Sequence, residues 1–425
     1  MTSKADGTSN NSPKVSAPGL RADTQLIGLV GLAHAISHFS QLVLAPLFPW
    51  LKDEFNVGFI ELGAVLTAFF VVSCIVQAAS GFIVDKLGPR PVLFVGLGLL
   101  GVAAFGYALA QNYWMLLASA MVAGVGNGVF HPVDYTLFNR KVAPTRLGHA
   151  YSVHGITGSL GWALAPAFVV PIAMAFSWRI ALASAGVLAL AVLLVLWFYR
   201  RVLSLDTATV QSATGQGGDA AIGPVAGQFD FLRIPSVWMC FGFFFFYAMV
   251  LSVVQTFAPV AAGQLHAVPV ALVGICLAIY MVASAGGMAV GGFLAADPSR
   301  CERIVGIGFG LAAMLALVLA FAEFPPVLVP VIFGAMGFVS GVAGPSRDLL
   351  VKRSTPPNAT GRIYGVVYAG LDIGQATAPL IFGALMDHGQ FRSVIFGLAL
   401  VQGVLIASAF NVRRVRREAL APAMA

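Results

Sequence analysis

Of the chain's 425 residues, 59% are hydrophobic and only 10% are charged, and the mean hydropathy is +0.88, which excludes a soluble globular domain and makes lipid the solvent. The net charge of +7 does not point to nucleic acid, because the basic residues lie at the ends of apolar stretches rather than on one soluble, aromatic-studded face. Cys74, Cys240, Cys276 and Cys301 are scattered singly, without metal-ligand spacing, and read as packing residues.

A bilayer core about 30 Å thick takes roughly 20 apolar residues per helical crossing, so the chain accommodates about twelve. Residues 1–25 are rich in Ser, Thr, Asn, Gly and Pro and lack the apolar core of a signal peptide; they are expected to form a disordered cytoplasmic tail. The first apolar stretch, Leu26 to Leu51, is too long for a cleaved signal and suits an uncleaved spanning helix. Further stretches follow at 58–84, 91–110, 113–138, 147–175 and 178–199, completing a bundle of six helices over residues 26–200. A polar segment, 201–233, carries Gly215, Gly217, Gly218, Gly223 and Gly227 and reads as a cytoplasmic linker. Six more stretches, at 234–263, 268–296, 303–322, 326–351, 361–386 and 391–411, give a second bundle over 234–411, and a basic cytoplasmic tail, 412–425, contains Arg413, Arg414, Arg416 and Arg417.

With the amino terminus inside, the outward loops contain only Lys52, Arg179 and Arg392 of the chain's 24 basic residues. The positive-inside rule therefore places both termini in the cytoplasm of a multi-pass inner-membrane protein.

The chain also contains a duplication. A displacement of 213 positions lays Gly124, Gly128, Val129, Pro132, Leu137, Arg140, Pro144, Gly148, Tyr151 and Val153 on Gly337, Gly341, Val342, Pro345, Leu350, Arg353, Pro357, Gly361, Tyr364 and Val366 without a gap. Gly161, Ala163, Ala165 and Pro166 likewise meet Gly374, Ala376, Ala378 and Pro379. Helices 4 and 5 thus correspond to helices 10 and 11. An even number of helices separates the copies, so the repeat is parallel, about an axis along the membrane normal, with a solute site between the halves. Gly161 and Gly374 are expected where backbones approach closely.

The loop after the second stretch reads Gly81-Phe-Ile-Val-Asp85-Lys86-Leu-Gly88-Pro-Arg90-Pro91 and resembles the signature loop of the major facilitator superfamily. Gly81 would allow close helix packing, and Asp85 would face a helix N-terminus or an arginine to stabilise one gate state. Read alone, Asp85, Lys86 and Arg90 equally suit a solvated turn that sets topology. The second-half equivalent, from Gly291 and Gly292 to Asp297 and Arg300, is degenerate. Within the superfamily, Val129-Phe130-His131-Pro132 and Ser37-His38-Phe39 resemble fosmidomycin-resistance-type exporters, although the chain shows no acid in the first apolar stretch and has Ala165-Pro166 where those exporters commonly carry Gly-Pro. The resemblance implies an all-α fold of two six-helix bundles.

Ionisable groups at the bilayer centre are costly and are functional candidates by default. His34, His38 and Gln41 share one face of the first helix. Asn127, His131, Asp134 and Phe138 form a stripe on the fourth, and Tyr364, Tyr368, Asp372 and Gln375 on the eleventh. Asp372, near the centre, is the expected proton carrier, with His38 as a partner. His34, His38 and His154 suit a proton relay, although a single neutral imidazole bonded across a helix interface is as common. His34 and His38 have metal-ligand spacing, but no Cys or Glu on their helix completes a set, so no metal site is expected. Asp134 and its repeat image Arg347 sit at equivalent depth, which suggests a gate bridge; the competing reading pairs Arg347 locally with Asp348 or has it simply set topology. Trp162, Tyr247, Gln255 and Tyr280 suit packing as well as a cavity lining.

No phosphate-cradling Gly-Lys-Ser/Thr loop is present, so an ion gradient is the expected energy source. The expected activity is proton-coupled export of a drug-like or metabolic compound by alternating access, with proton-linked uptake of a nutrient or organic acid, or a transporter-like sensor, as alternatives. No cofactor and no enzymatic centre are expected, and the partners are a small solute, protons and lipid around a monomer.

Overall fold

A computed structural model of the protein describes residues 19–143, 146–205, 235–294, 300–354 and 360–420. Among these, 12 helices are long and apolar enough to cross a membrane. They are α1 (Leu20–Phe55), α2 (Phe59–Leu87), α3 (Pro89–Leu109), α4 (Tyr113–Lys141), α5 (Leu147–Ala175), α6 (Trp178–Phe198), α7 (Pro235–Thr256), α8 (Val270–Leu294), α9 (Cys301–Phe321), α10 (Val329–Ser354), α11 (Thr360–Asp387) and α12 (Phe391–Leu420). The described residues contain no strand. Most of the expected linker, and Asp297 of the degenerate loop, lie outside them.

Several boundaries depart from the sequence reading. α1 begins at Leu20 rather than Leu26 because Asp23, 1% exposed, is anchored there. Its Oδ2 lies 2.6 Å from Arg146 Nη2 and accepts the Ala143 N–H at 3.2 Å. The first helix therefore does carry an acid, at its end rather than in its middle. After Gln41 the helix breaks, passes through a tight turn at Ala45–Leu47 with Pro46 in it, and resumes at Phe48–Phe55. α4 breaks at Gly128 and Val129, between Tyr113–Asn127 and Phe130–Lys141. A short helix, Ala258–Leu265, continues α7. At the other end α12 runs to Leu420, so the basic run expected in a tail is helical.

The duplication reappears in the packing. α1 packs on α5 as α7 on α11, α2 on α4 as α8 on α10, and α3 on α6 as α9 on α12. Glycines at repeated positions allow this. A Cβ on Gly124 or Gly128 would run into the Phe69 and Ser73 carbonyls of α2, and one on Gly337 or Gly341 into those of Tyr280 and Ser284 on α8. Gly161 lies against the Ala35 carbonyl of α1, and Gly374 against that of Phe245 on α7.

Two seams join the halves, α2 with α11 and α5 with α8, and the displacement that relates the halves exchanges them. Contacts gather at the face where α2 begins and α11 ends. There the Asp387 carboxylate of α11 accepts the N–H of Phe59 at 2.6 Å and of Ile60 at 2.8 Å, capping α2 from the other half. Glu61 reaches back to the Gly58 N–H at 2.9 Å. Deeper along this seam, Gly63 sits on the Pro379 carbonyl and Thr67 Oγ1 donates to the Ala376 carbonyl at 2.6 Å. The second seam is apolar, with Gly274 of α8 against Val170 of α5. A cavity of about 30 Å³, lined by Pro46, Trp50, Pro166, Gln255, Thr256 and Leu277 among others, lies beside it. Towards the opposite face, Gly81 on α2, Gly155 on α5 and Gly286 on α8 each have open space where a Cβ would point.

Two outcomes follow from this packing. Asp387→Ala should lower the melting temperature by the equivalent of about 1 kcal/mol, with Asn recovering part of the loss; an unchanged melt for Ala would remove the inter-half cap. Leu at Gly161 or Gly374 should cost about 1–3 kcal/mol by overpacking. Normal yield and melting of both variants would show that these backbones are not in contact.

Candidate functional site

The first half carries a buried polar core built from α1, α2, α4 and α5. His34 and His38, four residues apart on α1, turn towards α5 and α4, where His154, His131 and Asp134 meet them. The His34 and His154 rings stack with centroids 3.5 Å apart, and His34 lies 4.2 Å from His38 and 5.5 Å from His131. Asp134 is fully buried, with Oδ2 at 3.0 Å from His154 Nε2 and 3.3 Å from His34 Nδ1. Gly158 makes room for this assembly, since a Cβ there would fall 2.8 Å from His38 and 3.0 Å from His34. Tyr135 and Trp162 flank it, at 5.6 Å from His154 and 4.2 Å from His38.

A second layer hangs on Asn127, next to the break in α4. Its Oδ1 accepts from Ser37 Oγ at 2.8 Å and Gln41 Nε2 at 3.1 Å, and its Nδ2 donates to Ser73 Oγ at 2.8 Å. Trp162 Nε1 then donates to Gln41 Oε1 at 2.9 Å. One amide thereby ties α1, α2 and α4 together, and Gln41 extends the tie to α5.

A third element crosses to the other half. Gln77 Nε2 on α2 donates to Asp372 Oδ2 on α11 at 3.3 Å, and Gln77 Oε1 lies 3.1 Å from His131 Nδ1. Cys74, read from sequence as packing, is Asp372's other polar neighbour.

The structure thus brings together His34, His38, Gln41, Asn127, His131, Asp134 and His154, drawn from three helices. Asp372 joins them through Gln77 and not through His38, because it sits on the α2 seam rather than facing α1. The Asp134–Arg347 bridge is not formed: Asp134 is committed to the histidines of its own half, and the Arg347 guanidinium lies 4.1 Å over the Tyr247 ring. Gln375 is buried, but its side-chain oxygen finds no partner; the side chains of Tyr364, Tyr368, Asp85 and Asp348 lie outside the described residues. In the signature loop Gly88 adopts φ 82°, a left-handed turn that suits glycine. Gly81, expected at a close contact, borders open space. Lys86 is exposed and Arg90 partly so. The absence of a metal-ligand set on α1 holds for α1 alone: His34, His38 and His131, and separately His34, Asp134 and His154, place ligand atoms within 4.8 Å of one another.

Sequence reasoning missed Ser73, Gln77 and Asp23. Ser73 and Gln77 were detectable as polar residues four apart in an otherwise apolar helix.

The sequence profile of the Major Facilitator Superfamily matches residues 30–346 and 300–425. The chain belongs to that superfamily. Among its relatives in the superfamily, a fosmidomycin resistance protein of Escherichia coli is 23% identical over 383 residues, 88% of this chain and 89% of that protein. A probable sulfoacetate transporter of Cupriavidus necator is 22% identical over 395 residues, 90% of each chain. The fold matches that of a bacterial homologue of the human lysosomal transporter Spinster, solved inward-facing and occupied, with a TM-score of 0.72 at 13% identity, covering 94% of this chain and 98% of that one. As a superfamily member the protein is a multi-pass membrane solute transporter and not an enzyme.

Asn127→Leu should strand Ser37, Gln41 and Ser73 together and lower stability by about 1–3 kcal/mol for each partner left without a bond. Thermal unfolding of the purified protein measures it, and a melt like that of the wild type would show that the amide is not the junction of these helices.

Proposed function

We propose that the protein moves a small organic solute across the bacterial plasma membrane by alternating access, as proton-coupled export driven through Asp372. In this reading both termini are cytoplasmic, the halves are 26–200 and 234–411, and the working unit is a monomer. The observation that carries it is the placement of the inter-half contacts. They close one face through Asp387, Gly63, Thr67 and Val170, while the polar core and Asp372 lie beyond them towards the face where Gly81 and Gly155 border open space. Alternation then consists of releasing that closed face and bringing the signature loop together on the other, where Gly81 would come into contact.

Asp372 suits the coupling role because it sits on the moving seam with neutral partners, Gln77 and Cys74, among the described residues. A seam that opens and closes alternately wets and dries its carboxylate, which is the condition for taking a proton on one side and releasing it on the other. The name of the Escherichia coli relative supports export of a drug-like compound. The sulfoacetate transporter supports a second reading, proton-linked uptake of a small organic acid.

Screening deletion and overexpression strains for altered toxin tolerance against altered growth substrates separates the two. With a solute so identified, Asp372→Asn in proteoliposomes should abolish solute-driven proton movement, a loss of at least tenfold, while solute exchange survives. Because Asn can still hydrogen-bond Gln77, undiminished proton coupling in the variant would reduce Asp372 to a structural contact.

A further inference from the structure

We infer that the histidine cluster of the first half is a binding site for one divalent transition-metal ion, held by His34, His154 and Asp134 with His131 as the fourth ligand and His38 packed beside them. Four of the chain's 7 histidines converge here from three helices, and two triads that share His34, one with Asp134 and His154 and one with His38 and His131, each place their ligand atoms within 4.8 Å of one another. Tetrahedral coordination at zinc-type bond lengths needs ligand atoms about 3.3 Å apart. The separation of His34 Nδ1 from Asp134 Oδ2 is already 3.3 Å, and modest ring rotations bring in the others.

Two atoms of the triad are left without hydrogen bonds. His34 Nδ1 and Asp134 Oδ1 make none, although Asp134 is fully buried and His34 only 2% exposed. Such groups are costly to leave unsatisfied, and one cation satisfies both together. Asp134 supplies a negative charge that offsets part of a dication's, as a bare set of imidazoles in lipid would not.

An outer shell of polar groups fixes a ligand ring. Gln77 donates its amide N–H to Asp372 and leaves Oε1 facing His131 Nδ1. With Nδ1 as the donor to that oxygen, His131 presents its Nε2 lone pair as a ligand. Imidazole with one carboxylate selects zinc, nickel, cobalt or copper over magnesium or calcium. His131 is only partly buried and gives the ion its way in. All four ligands belong to one half, so an ion here braces α1, α4 and α5 without bridging the seams. Asp372 reaches the site through Gln77, but metal binding is measured without transport, so failure of the proton-coupling reading would leave the site standing.

The test uses the full chain, purified without a polyhistidine tag, stripped with chelator and titrated with Co²⁺ and Zn²⁺. Expected are one ion per chain, a visible Co²⁺ absorption of low-coordinate nitrogen and oxygen ligation, no competition by Mg²⁺, and a rise in melting temperature on Zn²⁺ addition. His34→Gln and Asp134→Asn should each weaken binding at least tenfold. A triple variant of the other histidines, His149→Gln, His266→Gln and His388→Gln, should bind as wild type. Failure of the wild type to give the low-coordinate Co²⁺ spectrum, or loss of binding in the triple variant, would overturn the site. Because the Co²⁺ spectrum is read on the wild type, the inference stays testable even if a cluster variant does not fold.

Discussion

A bilayer core contains no water to satisfy a stray polar group, and that constraint shapes the interior of this protein. Each amide, hydroxyl, imidazole and carboxylate placed at membrane depth must find its partner on another helix. Asn127 is where several of these obligations meet, and one of the helices that serve it, α2, lies against the glycines of α4. The break in α4 at Gly128 and Val129 lies directly after it, and the glycines at 124 and 128 lay α4 onto the carbonyls of α2. Polar satisfaction and close backbone approach are thus one device: small residues bring two helices near enough for short side chains such as Ser37 and Ser73 to reach a common amide.

The two halves are alike in how their helices pack but not in what they bury. The first encloses the imidazoles, Asp134 and the Asn127 junction. The described part of the second is lined chiefly by aromatic and aliphatic side chains such as Phe243, Phe244 and Phe309, with Arg347 resting on Tyr247. Gln77 joins these unlike interiors by holding Asp372 with one end of its amide and His131 with the other.

Much of this was legible in the sequence, for physical reasons. Apolar length reports a spanning helix directly, because lipid tolerates nothing else, so all twelve crossings could be counted. The displaced identities from Gly124 to Pro166 gave the pairing of α4 and α5 with α10 and α11, since glycine and proline mark backbone geometry that packing must reproduce. The stripe of Asn127, His131 and Asp134 was visible as helical spacing on one face. The partners were not. Nothing local says that α1 will present its histidines to His154 rather than to Asp372, because that depends on how the helices rotate against one another. Asp23 was hidden by its polar neighbourhood, and only Arg146, far along the chain, makes it the anchor of a helix. Ser73 and Gln77 were passed over because the search weighed charge, whereas in lipid a neutral amide between two charged or titratable groups matters as much.

The inter-half cap at Asp387 gives the molecule a handedness of opening. Its repeat image is Met174, which has no charge to offer, so the α5–α8 seam is held by the apolar fit of Gly274 and Val170, while the α2–α11 seam is bonded at its tip. Dispersion contacts lose a large share of their attraction over about 0.5–1 Å of separation, whereas a carboxylate on a helix terminus also holds through its charge. The two seams are therefore fastened unequally, one by directed bonds at its tip and the other by shape alone, and the small cavity lined by Trp50 and Leu277 lies beside the seam that has only shape to hold it.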